Sequence, residues 1–194
     1  MIFDSELWKR DLVSTSKKLV KLMAYSYWNE TDYFRFEKLI MVAFYSIRKL
    51  RESGKLSNTT TSSKISIKEY TTKGKVVHFY NAHNYLDYYD FDSPKIVKKD
   101  LAYFSNQVIH SYIFSPFFDD NDLGEQSLRG IHFNSDDNRN LCVYEMSVES
   151  LIESFSKVGK DYPAYAEYTY DAKKQDYRIF ASESEPVKRK EMKF

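Results

Sequence analysis

The chain has a single cysteine, Cys142, in 194 residues. An internal disulfide is excluded. A lone thiol between Leu141 and Val143 reads as a buried strand residue in a reducing compartment rather than as a nucleophile. Glycine is scarce, at 5 residues, and no glycine-rich phosphate loop can be assembled from them. No nucleophile-elbow serine and no kinase motif set is present. Long apolar runs are also missing: "LIMVAFY" at 39–45 is far shorter than the roughly 20 residues of a membrane helix. The opening "MIFDSELWKR" lacks the basic segment and apolar run of a signal peptide, so a cytoplasmic location without membrane contact is the expectation. An excess of charge of one sign is absent too. With 29 basic and 28 acidic residues the formal charge is +1, which gives no global attraction for nucleic acid or anionic lipid. Any RNA contact must come from a local basic patch.

Aromatic residues are abundant instead, with 17 Tyr and 14 Phe. Tyrosine combines an apolar ring with a polar hydroxyl and suits half-buried positions and contact surfaces. The hydrophobic share of 42% is ample for the core of one domain.

Periodicity predicts a helix over 5–26, capped by Asp4 or Ser5, with Trp8, Leu12, Leu19, Leu22 and Met23 on one side. A second helix is predicted over 33–53, capped by Thr31 or Asp32. Its stripe is Phe36, Leu39, Ile40, Ala43, Phe44, Ile47 and Leu50. Met41, Val42 and Tyr45 fall on its other faces, the pattern of a central helix packed on several sides. Gly54 is available for a left-handed cap. "NTTTSS" reads as a polar linker, and "KISIKEY" and "KVVHFY" read as a hairpin around "TTKGK". Ser93 and Pro94 then signal a third helix running to about 114. "FFDDNDLGEQSLRG" reads as an acidic loop, "GIHF" and "LCVYEM" as strands, and "VESLIESFSKV" as a helix capped by Ser147 and closed by Gly159. "AYAEYTY" and "DYRIFAS" make a last hairpin. The expectation is an α+β fold, one domain over 1–183. It comprises a core of about three long helices within 5–114, a hairpin insertion at 64–80, a C-terminal αβ part at 128–183 and a charged flexible tail at 184–194.

On the expected third helix Asn106 and His110 are neighbours at i,i+4, with Tyr103 close by. Histidine serves as general base or acid near neutral pH, and asparagine can orient it or hold a phosphate oxygen. The pair suits attack of an RNA 2′-hydroxyl on its own phosphate, which needs no metal. The bland reading is that His110 bonds a carbonyl or a tyrosine hydroxyl inside the helical core. "SNQVIH" at 105–110 resembles the Arg-Asn-x-x-x-His motif of the HEPN superfamily. Its members are helical domains, and the active ones are metal-independent ribonucleases common in bacterial toxin and phage-defence systems. The resemblance covers this helix and, loosely, the apolar helix before it. It implies Asn106 and His110 as catalytic residues and a homodimer formed through the motif helices. The chain departs from the motif at Ser105, where the family carries its arginine. A cation must then come from elsewhere, with Arg48 or Lys99 as candidates and Arg48 and Tyr103 as RNA contacts. "FEKLIMVAFYSIRKLRESGKLS", "NQVIHSYIF" and "GIHFNSD" are also similar to a set of bacterial proteins without assigned function.

His78, His83 and Asp87 do not make a zinc set, because no Cys–His spacing supports one. Asp119, Asp120, Asn121 and Asp122 do not fit a calcium loop, since no glycine and glutamate fall at the required later positions. No cofactor and no metal is expected. Two functions remain. The first is an interaction module acting through a protein partner, as an accessory or neutralising component of an antiviral defence or toxin system. The second is a degenerate HEPN-like ribonuclease or RNA-binding protein. With no complete catalytic set in the sequence, the first is favoured.

Overall fold

The computed structural model describes residues 2–120 and 125–185. Parts of the acidic loop and of the charged tail expected from the sequence lie outside them. The first helix, α1 (Ser5–Leu22), is capped by Asp4, whose carboxylate accepts the Glu6 N–H at 2.8 Å. The second, α2 (Glu30–Glu52), starts three residues earlier than the sequence predicted. Asn29 is its cap: the Asn29 side chain accepts from the Thr31 and Asp32 N–H groups, and the Asp32 carboxylate in turn accepts from the Asn29 N–H. Phe36, Ile40, Ala43, Phe44, Ile47 and Leu50 are buried as their spacing predicts. Val42 and Tyr45 are exposed, so α2 is covered on one broad side and not all round. Gly54, at φ +64°, ends it in the left-handed conformation. The polar linker is a short helix, α3 (Asn58–Ser62), capped by Ser57.

The strand β1 (Lys64–Thr71) forms where expected, but its partner differs. It pairs with β2 (Lys95–Asp100), Lys64 opposite Asp100, while 75–80 makes no strand. The single long helix predicted over 93–114 is therefore three elements: β2, then α4 (Leu101–Ile109), then β3 (Ser111–Asp120). Ser93 and Pro94 are a start signal that tertiary pairing overrides. β2 docks against β1 in an extended form, and the helix begins only where the Asp100 carboxylate caps the Tyr103 N–H at 2.9 Å. The chain continues through β4 (Gln126–Ser135), β5 (Cys142–Ser147), α5 (Val148–Gly159, capped by Ser147) and the hairpin β6 (Tyr165–Asp171) with β7 (Asp176–Ser182). β5, α5 and the final hairpin agree with the sequence reading. The stretch 117–130, read as a loop, is strand at both ends: β3 runs on to Asp120 and β4 begins at Gln126, each paired with the other. α5 rather than 93–114 is the third core helix.

Five strands form one antiparallel sheet in the order β2-β1-β5-β4-β3. One face carries the helices, and Phe36, Phe44, Phe104, Phe133 and Phe155 fill the core between them without exposure. The other face is covered by residues 72–93. That segment sends Val77, Tyr85 and Tyr89 onto Tyr70, Ile113 and Val143. The mixed α+β class of the sequence reading holds. Among the described residues no helix is long and apolar enough to cross a membrane.

Candidate functional site

α4 is amphipathic over only nine residues. Leu101, Phe104, Ser105 and Val108 enter the core, and Gln107 is buried beside them. Asn106 and His110 are exposed. His110 closes the helix, donating its N–H to the Asn106 carbonyl at 3.0 Å and accepting the Asp136 N–H on its own carbonyl at 3.3 Å. The imidazole is therefore not satisfied inside the bundle, as the bland reading supposed. It points to α2, where Arg48 Nη1 lies 3.3 Å from its Nε2. A guanidinium has only donors, so Nε2 is the acceptor and the ring proton sits on Nδ1. Arg48 is held from behind by Glu52, with Nε to Oε1 at 2.8 Å. The two carboxylate bonds, from Arg48 and then Lys49, keep the Glu52 carboxyl below its ordinary value.

Beside this contact lies a cleft of about 360 Å³ lined by Asn106, Gln107, His110, Ser135, Asp136 and Asp137. Its back wall is a chain of hydrogen bonds. Gln107 Oε1 accepts from the Ser135 N–H at 3.0 Å and from Asn138 Nδ2 at 2.9 Å; Asn138 also donates to the Tyr103 hydroxyl, which meets the Tyr144 hydroxyl at 2.6 Å. Ser135 Oγ is buried and has no hydrogen-bond partner among the described residues. Asp136 is paired with Arg139 at 2.8 Å, and that guanidinium lies over the Tyr112 ring at 4.5 Å.

Of the four residues proposed from the sequence, Asn106 and His110 line the cleft together, and Arg48, from 62 positions away, meets the His110 ring. Tyr103 does not join them, because its hydroxyl is engaged by Tyr144 and Asn138. Lys99, the other candidate cation, lies over the Tyr103 ring at 5.0 Å. Ser105 is fully buried and bonds the Leu101 carbonyl at 2.7 Å, so a cation at that position would be driven into the core. Sequence reasoning missed Gln107, Ser135, Asp136 and Asp137 as cleft residues. The only local signal was the turn-rich "NSDDNRN", which says nothing of what it faces. Among the described residues no group of three or more His, Cys, Asp and Glu side chains is placed to hold a metal ion.

A second polar cluster sits between the sheet and the 72–93 segment. The His132 ring is buried and lies flat on Phe117, with centroids 4.5 Å apart. Its Nδ1 meets the Tyr85 hydroxyl at 2.9 Å and its Nε2 meets Glu145 Oε2 at 3.3 Å. Glu145 also accepts from the Tyr70 hydroxyl at 2.5 Å and from Lys68 at 2.9 Å. Burial pushes the Glu145 carboxyl up, but the bonds from His132, Lys68 and Tyr70 outweigh it and bring it down to about 2. The same burial and carboxylate push the Tyr70 hydroxyl up. Every polar atom of the cluster points at another, so it acts as a clasp for the 72–93 segment rather than as a reactive centre. A carboxyl with a depressed value in the fold stabilises it fully above the unfolded value of 4.5 and loses that contribution as pH falls to about 2. We expect Glu145→Gln to lower the unfolding free energy at pH 7 by about 3 kcal/mol. The gap from wild type is expected to close on acidification from pH 5 to pH 2. Urea unfolding at a series of pH values checks this; a gap independent of pH would refute the assignment.

Comparison with protein-family models, with curated proteins and with solved structures finds no match for this chain.

Proposed function

We propose that the protein binds single-stranded RNA across the His110 cleft and cleaves it without a metal ion. The observation that carries this is the Arg48–His110 contact at 3.3 Å, in the open and next to Asn106. It supplies from α2 the cation that the motif lacks at Ser105. In the proposed step Arg48 moves its donor from Nε2 to a non-bridging phosphate oxygen, which frees the imidazole lone pair. Nε2 then takes the proton of the 2′-hydroxyl. The 2′-oxygen bonds to phosphorus, and the P–O5′ bond breaks. The imidazolium returns its proton to the leaving 5′-oxygen, so the products are a 2′,3′-cyclic phosphate and a 5′-hydroxyl. Arg48 and the Asn106 carboxamide hold the charge that grows on the phosphate.

The test is incubation of the purified protein with end-labelled single-stranded RNA in excess EDTA. His110→Ala is expected to slow cleavage on the order of 10²–10⁴-fold while leaving RNA binding in place. Arg48→Ala is expected to weaken binding and flatten its salt dependence by about one counterion, with Arg48→Lys restoring part of it. Neither cleavage nor binding by wild type would end the reading.

A second reading, a protein-interaction module of a cytoplasmic defence or toxin system, is favoured by the exposed aromatic side chains of the last hairpin, Tyr168, Tyr170 and Tyr177. Recovery of no stoichiometric partner from the native host under mild conditions would count against it.

A further inference from the structure

A groove on the opposite flank of α2 has a different character from the His110 cleft. α1 packs chiefly on α5, where Gly159 brings the two backbones so close that a Cβ there would lie 2.7 Å from the Lys9 carbonyl. Leaning on α5, α1 leaves a gap of about 330 Å³ between itself and α2. The floor of the gap is apolar: Leu22, Tyr25 and Leu39. Its rim is cationic: Lys18 and Lys21 from α1 and Arg35 from α2. Lys18 and Lys21 have no ion-pair partner among the described residues, and Arg35, itself exposed, makes a long contact with the largely buried Asp32 carboxylate at 3.7 Å. Val42, one turn beyond Leu39, is exposed and extends the apolar stripe along α2.

We propose that this groove docks an acidic amphipathic helix of a partner protein. Leucine-like side chains at three- and four-residue spacing would cover Leu22, Leu39 and Tyr25, and carboxylates on both flanks would meet Lys18, Lys21 and Arg35. The charge pattern selects this occupant. A symmetric pair of copies meeting through the groove would set the same three cations against each other. A neutral apolar helix would leave them unpaired. The inference does not depend on the RNA reading, since the groove shares no residue with the His110 cleft.

The test uses a fluorescein-labelled helical peptide about three turns long, with leucines at three- and four-residue spacing and glutamates elsewhere. Controls are the same composition scrambled and the same pattern with lysine for glutamate. Fluorescence anisotropy is expected to give a micromolar Kd for the acidic peptide, weakened about tenfold or more by the exposed double change Lys18→Glu/Lys21→Glu and, separately, by Val42→Asp. Both variants are expected to melt with wild type, so loss of folding is read apart from loss of docking. High salt should weaken binding, and single-stranded RNA should not displace the peptide. Equal binding of the scrambled or lysine peptide overturns the proposal, as do displacement by RNA, an unaffected Lys18→Glu/Lys21→Glu variant, or no binding by the acidic peptide. A wild-type dimer in sedimentation that the double change dissociates would assign the groove to a second copy and overturn it as well.

Discussion

Gly130→Ala is expected to cost on the order of 3 kcal/mol or more, among the largest losses that a single methyl can cause in this fold. Gly130 lies on β4, opposite Ser147 of β5 and Phe117 of β3. A Cβ there would come 2.2 Å from the Met146 carbonyl oxygen, 2.8 Å from Phe117 Cε1 and 2.9 Å from Ser147 Cα. Two of these neighbours are backbone, and the third is the ring stacked on His132. None can swing away like the end of a flexible side chain. The methyl is accommodated only by opening the β4–β5 ladder or by expelling Phe117, and either route disturbs His132 two residues along the same face. The register of β3 on β4 already slips between Phe117 and Phe118, so this part of the ladder has little regular pairing to give up. Equilibrium urea unfolding measures the loss. A midpoint within about 0.5 kcal/mol of wild type, at unchanged slope, would show that the strands part more easily than the contacts imply.

Lys9→Ala is expected to lose roughly 3–5 kcal/mol, from two carbonyls left without a donor and a void along the lysine stem. Lys9 is 1% exposed and shares the buried side of α1 with Leu12, Ser16 and Leu19. Its ammonium donates to the Lys55 carbonyl at 2.7 Å and to the Asp161 carbonyl, and it stands over the Tyr162 ring at 4.5 Å. One side chain thus ties α1 to the turn after α2 and to the end of α5. The neighbouring Asp161 carboxylate accepts the Ser57 N–H at 2.7 Å and so holds the cap of α3 in the same knot. Alanine would leave two carbonyls without a donor and a void along the lysine stem. Lys9→Met fills most of the void and restores no donor, so it is expected to recover only part of the loss. Burial pulls the ammonium below its ordinary value of 10.5, against the attraction of Asp161. The unfolded chain therefore binds the proton more tightly, and stability contributed through Lys9 rises with pH toward 10.5. That rise should be absent in Lys9→Ala. An unfolding curve that superimposes on wild type would remove Lys9 from the list of residues that hold the helices together.

The residues that carry local instructions read true. The stripe from Phe36 to Leu50 specifies the buried side of α2 because helical spacing alone decides which side chains share a face. Ser147 caps α5, Gly54 stops α2, and the two arms of the final hairpin need no information from elsewhere in the chain. Asn106 and His110 were named together in the same way, because residues four apart on a helix are neighbours, and they line one cleft. Arg48 could be named as a candidate cation, but only the packing of α4 on α2 brings it to the imidazole.

The failures share one cause. Ser93, Pro94 and the apolar spacing after them are sound helix signals, yet 95–100 is a strand because β1 offers it a ladder, with Ile67 opposite Val97. A strand takes its conformation from its partner, and the partner is chosen by contacts that no local window contains. The same holds for the expected mate of β1 at 75–80, which instead belongs to the segment lying over the sheet. Composition and periodicity by themselves determined the α+β class, the buried stripe of the long helix, the C-terminal elements and the polar pair at 106 and 110. Only the tertiary structure decided the strand order, the burial of Lys9, the groove between α1 and α2 and the meeting of Arg48 with His110, because each joins groups far apart in sequence whose positions only the packed chain defines.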